Sequence, residues 1–208
     1  MSRLANKVRS EISSLTQLLT ERNLSIDSRL AQIKIRGRIC EVGWDKEGAN
    51  IAFLLKDISY DEYYRYMYEN QQYNLILPDG ALIQLLYRFD RETLSEQRVC
   101  YFPPPKNQDS DPESNYDETP LIRIDYNPSQ TKLYSHSATH LHLGYTKDCR
   151  IPTSAPIAPQ TFVLFILQSF YSDKLKPELE SILLKSRCFP ESILKKEKKI
   201  AHFAVPSS

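Results

Sequence analysis

The sequence predicts a single α+β domain, residues 1–208, built as a curved antiparallel sheet with an N-terminal amphipathic helix and C-terminal helices packed on one face. Three observations lead there. Apolar residues recur at helical spacing over residues 2–23. Between residues 31 and 145, several short segments alternate apolar and polar side chains and are separated by turn residues. Past Arg150 the alternation gives way to two helical segments, each opened by proline.

The elements follow in order. Leu4, Val8, Ile12, Leu15, Leu18 and Leu19 form the apolar stripe of the first helix, with charges between them. In AQIKIRGRICEV, residues 31–42, Ile33, Ile35 and Ile39 alternate with Lys34, Arg36 and Arg38, which reads as one strand that bulges or bends at Gly37. A short partner is expected at 50–54. Ser59, with Glu62 three positions on, makes a capping box for a tyrosine-rich helix with a partly buried aromatic face, although Tyr64, Tyr66 and Tyr68 also alternate like a strand.

YNLIL and ALIQLLYRFD flank Pro78-Asp79-Gly80 and read as a hairpin. QRVCYF, residues 97–102, continues as a third strand. Residues 103–119 are proline-rich and acidic with little to bury, so a mobile connection is expected there. LIRIDY at 121–126 and THLHLGY at 139–145 resume the strand pattern, with Asn127-Pro128-Ser129 turning the chain between them. Pro159 leads into TFVLFILQSFY, apolar on nearly every side and hence a buried helix, and Pro177 opens a second helix with Leu179, Ile182 and Leu183. The basic tail 191–208 is expected to fray or to form a last strand at 200–205.

Composition removes several function classes. A net charge of +1 gives no global attraction to nucleic acid or anionic membrane. No run of about eighteen apolar residues exists to span a bilayer. The start, MSRLANKVRSEISSLTQ, lacks the apolar stretch of a secretory signal. Cys40, Cys100, Cys149 and Cys188 form no C-x-x-C pair, so neither a zinc knuckle nor a disulfide framework is indicated. The expectation is a cytoplasmic protein with reduced thiols.

Alternation sorts the strand residues by face. Ile122, Ile124 and Tyr126 oppose Arg123 and Asp125; Leu141, Leu143 and Tyr145 oppose His140, His142 and Gly144. Ile83, Leu85, Tyr87 and Phe89 oppose Gln84, Leu86 and Arg88, while 97–102 is ambiguous. With the apolar side against helix 160–171, the uncovered side collects Arg88, Arg123, Asp125, His140 and His142. Three of the four histidines fall within seven residues, as His136-x-x-x-His140-x-His142.

Two imidazoles at i, i+2 on a strand suit two chemistries. One is metal binding by His140 and His142, with Asp125 or His136 completing the set around zinc or manganese. The other is metal-free acid–base work on a phosphodiester, with Arg123 or Arg150 neutralising the phosphoryl oxygens. The rival structural readings are an Arg123–Asp125 ion pair and histidines that merely pack.

The stretch RIDY…SHSATHLHLGY…RIPTSAPIAPQTFVLFILQSFY resembles a bacterial family known as domain of unknown function 2290. The shared features are a histidine-x-histidine-x-glycine strand, an arginine-isoleucine-proline segment and an F-x-x-F-I-L-x-x-F-Y-like helix. The resemblance is strongest over 121–171 and implies no reaction. Arg123, Asp125, His140 and His142 alone are also similar to the arginine-x-aspartate and histidine-rich strands of small ribonuclease-type toxins of bacterial toxin–antitoxin pairs.

The leading expectation is therefore a hydrolase of phosphodiesters, directed at RNA, in a toxin or phage-defence system. His140, His142 and Asp125 would be catalytic, and Arg123, Arg150, Arg88 and His136 would bind substrate. The alternative is a non-catalytic module that uses the same face for a nucleic acid, a nucleotide or a cognate protein partner.

Overall fold

The computed structural model describes residues 2–45, 58–105, 120–144, 149–185 and 187–208. The strand expected at 50–54 and nearly all of the acidic loop lie outside these residues. Among the described residues there are helices α1 (Arg3–Glu21), α2 (Tyr60–Glu69), α3 (Pro159–Phe170) and α4 (Pro177–Leu183). The strands are β1 (Asp27–Ser28), β2 (Gln32–Arg36), β3 (Ile39–Gly43), β4 (Leu75–Ile76), β5 (Leu82–Asp90), β6 (Thr93–Phe102), β7 (Ile122–Tyr126), β8 (Thr139–Leu143) and β9 (Ile151–Pro152). They join in one open antiparallel sheet, α+β as the pattern predicts.

The order β1-β4-β5-β6-β7-β8-β9 forms the main path. One edge of β5 is shared: Leu82 and Ile83 pair with β4, while Tyr87–Asp90 pair with β3. In the gap between them, the Asn74 side-chain oxygen accepts the Leu85 amide at 2.6 Å.

One expected strand is really two. Residues 31–42 do not form a single strand bent at Gly37; β2 and β3 pair antiparallel, with Arg36 opposite Ile39. Gly37 sits in the intervening turn at φ +61°, a left-handed conformation that favours glycine. The capping box holds at α2: the Ser59 hydroxyl and backbone amide both engage Glu62, so the tyrosines continue as a helix. The tail forms no strand at 200–205; Phe203 makes only an isolated bridge to Thr153.

The main core lies where the sequence places it. Ala5, Val8, Ile12, Leu15 and Leu19 of α1 and Phe162, Val163, Ile166 and Leu167 of α3 meet Ile83, Leu85, Tyr87, Val99, Tyr101, Ile122, Ile124 and Leu141 of the sheet. This resolves β6, whose Val99 and Tyr101 face the main core. Cys100 and Phe102 face the other way, into a second cluster with Leu82, Leu121 and with Tyr63 and Met67 of α2. The second sheet face is therefore half covered, which the sequence reading does not anticipate.

Candidate functional site on the second face of the sheet

Strand register assembles the site. Leu86, Arg98, Asp125, His140 and Pro152 align across β5 to β9 in one row. Gln84, Cys100, Arg123 and His142 align in the next. Adjacent antiparallel strands lie about 4.8 Å apart, and residues directly opposite one another project to the same face. Side chains from three strands consequently converge on Asp125.

The Asp125 carboxylate is held from both sides. Arg98 Nε donates to Oδ1 at 2.9 Å, and Arg123 Nε stands 2.9 Å from Oδ2. Burial alone would raise its pKa, but the charges of Arg98 and Arg123 outweigh that and hold it below the ordinary carboxylate range. The expected Arg123–Asp125 pair exists within one strand; the cross-strand partner, Arg98, is the residue the sequence reading misses. Its signal was its phase with Cys100, masked because both faces of β6 are apolar.

The imidazoles are buried, His140 at 3% and His142 at 2% exposure, so this face is not open to solvent as expected. Their ring centroids lie 4.8 Å apart, and His136 lies tilted against His140 at 4.6 Å, giving a row of three rings. His140 Nδ1–H donates to the Ser137 carbonyl at 2.9 Å, which leaves its Nε2 lone pair available. His136, half-buried, makes the equivalent bond to the Gln130 carbonyl at 2.9 Å. Neither ring nitrogen of His142 has a hydrogen-bond partner among the described residues; its Nε2 stands 3.6 Å from Asp125 Oδ2.

Burial lowers the pKa of both inner rings. His142 falls to about 3, through desolvation first and the Arg123 charge second. The Ser137 bond opposes the effect of burial at His140 without cancelling it. Arg150, on the exposed approach to β9, lies near enough for its charge to lower both. At neutral pH the two rings are therefore neutral. Cys100, beneath Arg123 in the same row, is pushed up to about 12 by burial and is no nucleophile.

Arg88 does not join this group. It lies one row beyond Leu86, with Nε 2.6 Å from Glu41 and Nη1 2.6 Å from Glu96, and braces β3, β5 and β6. Gly144 adopts φ +71°, a left-handed conformation that favours glycine, and a Cβ there would meet nothing within 4 Å among the described residues.

Asp125, His140 and His142 offer ligand atoms that all lie within 4.8 Å of one another, a spacing compatible with a metal ion. The same groups stand beside the Arg123 guanidinium and within reach of the Arg150 charge.

A family model described as "uncharacterized conserved protein (DUF2290)" matches residues 24–205. The chain belongs to this family. The match spans every residue of the candidate site named above, from Arg98 to Arg150. No curated protein and no solved structure matches this DUF2290 chain significantly. Among its described residues no helix is long and apolar enough to cross a membrane, and all four cysteines are free.

Proposed function

We propose that this face is the active site of a cytoplasmic phosphodiester hydrolase directed at RNA, of the toxin or phage-defence type. One observation carries the reading: Arg98 and Arg123 flank one carboxylate beside two neutral imidazoles, and the charge of Arg150 reaches both rings. Three positive charges against one negative leave an excess of two, which suits a phosphodiester better than a cation.

In the proposed reaction His140 Nε2 takes the proton of the ribose 2′-hydroxyl. That oxygen attacks phosphorus, and the bond to the 5′-oxygen breaks. A protonated His142 gives its proton to the leaving oxygen, while Arg123 and Arg150 hold the non-bridging oxygens. The products are a 2′,3′-cyclic phosphate and a free 5′-hydroxyl. A phosphodiester charge about 5 Å from His142 at an effective dielectric of about 20 is worth roughly 3 kcal/mol, which moves the ring back toward its ordinary range. Because His142 begins so low, the rate optimum is expected on the acid side of neutrality.

The test is a labelled RNA oligonucleotide incubated with the purified protein in chelator. Cleavage to cyclic-phosphate ends is expected, with DNA of the same sequence left intact. His140→Gln and His142→Gln should each slow it on the order of 10²–10⁴-fold. Wild-type protein that leaves RNA intact in chelator overturns the metal-free mechanism.

A second reading, a metal-dependent hydrolase, is favoured by the buried nitrogens of His142, which have no partner among the described residues. It requires zinc or manganese to bind and chelation to stop turnover. Its obstacle is that both Asp125 oxygens already face guanidinium nitrogens. A non-catalytic binding module would instead retain RNA, nucleotide or protein-partner binding in the glutamine variants, which cannot titrate.

A further inference from the structure

Glu197 is fully buried, at 0% exposure, in a short 3-10 turn (Glu197–Lys199) of a tail whose basic sequence predicts fraying. Carboxylates are almost never buried without a partner that repays their desolvation. Among the described residues no cation pairs with this one. Its Oε1 accepts the Ser137 hydroxyl at 2.6 Å, and its Oε2 accepts the Leu194 amide at 3.0 Å.

Ser137 is itself buried, at 4% exposure, and its carbonyl is the acceptor for His140 Nδ1–H at 2.9 Å. Glu197 thus holds the hydroxyl of the same residue whose backbone carbonyl holds the imidazole. The neighbouring tail is tied to the same strands. The Thr139 and Ser192 hydroxyls bond to one another, and the Ser192 amide donates to the Ser154 carbonyl at 2.9 Å. The Phe203 amide donates to the Pro152 carbonyl at 2.8 Å, and the Ser154 amide returns a bond to the Phe203 carbonyl at 3.0 Å.

A tie between tail and sheet alone would be served by apolar contact or a neutral side chain. A buried carboxylate is the costlier choice, and it is aimed at the one serine whose carbonyl fixes His140. We infer that Glu197 is a positioning residue for His140: acting through Ser137, it holds the ring with Nδ1 protonated and the Nε2 lone pair turned into the site. Outer partners of this kind commonly set the tautomer and orientation of functional histidines. The use made of that lone pair rests on the hydrolase reading above; the tautomer does not.

The experiment is long-range ¹H–¹⁵N NMR of the histidine rings in the full chain, beside RNA cleavage. Wild-type His140 is expected as a single Nδ1-protonated tautomer. Ser137→Ala removes one oxygen atom and leaves the carbonyl, so it tests the contact with little threat to folding. In Ser137→Ala and in Glu197→Ala, the Nε2-protonated tautomer should become populated. Glu197→Gln, which keeps an acceptor for Ser137, should restore the wild-type pattern. Cleavage should fall on the order of 10–100-fold in kcat for both alanine variants, with KM within about twofold.

An unchanged single tautomer in both alanine variants overturns the inference and leaves Glu197 as a structural tie. Wild-type protein that fails to cut RNA overturns the hydrolase reading instead, while a tautomer shift in the variants would still establish the positioning role.

Discussion

Asp125 and His142 titrate in ways that couple the site to folding. His142 is held neutral down to about 3, because desolvation and the Arg123 charge disfavour its cation. Its ordinary value is 6.5, so the unfolded chain takes up the proton first. Stability from this residue is therefore complete above 6.5 and is lost as the pH falls toward 3. His140 acts in the same direction through its own burial. Asp125, with its pKa lowered, contributes stability that is present above the ordinary carboxylate value of 3.8 and lost below it. Thermal melts should show Tm falling from neutral pH into this acid range. His142→Asn should flatten the part of the profile between 6.5 and 3, and an unchanged slope would show that the ring is protonated in the fold. The imidazoles and Arg123 could be assigned to one face from alternation alone, since a period of two needs no tertiary information. Their burial could not, because it depends on elements elsewhere in the chain.

Helix α2 is what alternation could not place. Its capping box and helical spacing are local signals, and they were readable. Which sheet face it covers is a tertiary fact, decided by Met67 and Tyr63 packing on Leu82, Cys100 and Phe102. The same packing makes both sides of β6 apolar, and that hid Arg98. The β2–β3 turn failed for a different reason: Gly37 interrupts an alternation that continues on either side of it, so a bend and a reversal look alike in sequence. Met67 is fully buried, so Met67→Ala should destabilise the protein by about 2–5 kcal/mol. Urea unfolding measures this, and a cost below about 1 kcal/mol would mean that α2 is a loosely attached cover.

At the scale of the whole molecule, the tail belongs to the fold. Phe189 is 3% exposed and stacks on Tyr87 with ring centroids 6.2 Å apart, inside the main core. Arg187 reaches Glu11 on α1 at 2.8 Å, joining segments 176 residues apart in sequence. Phe189→Ala is expected to lower stability by about 3–5 kcal/mol while unfolding remains one cooperative transition. A separate early transition in the variant would mark the tail as an independent unit. Basic composition concealed this role, because Lys195, Lys196, Lys198 and Lys199 surround a buried glutamate, and charge averages over a window hide a single inward-facing residue.

A consequence follows for synthesis. The carboxylate that reaches Ser137 comes after every strand of the sheet in chain order. On a ribosome, translation delivers β7 and β8 well before Glu197, and a nascent chain holding only the earlier segments lacks the contact that orients His140. The proposed site would then gain its oriented imidazole only after β7 and β8 have been made and the Glu197 segment has followed them.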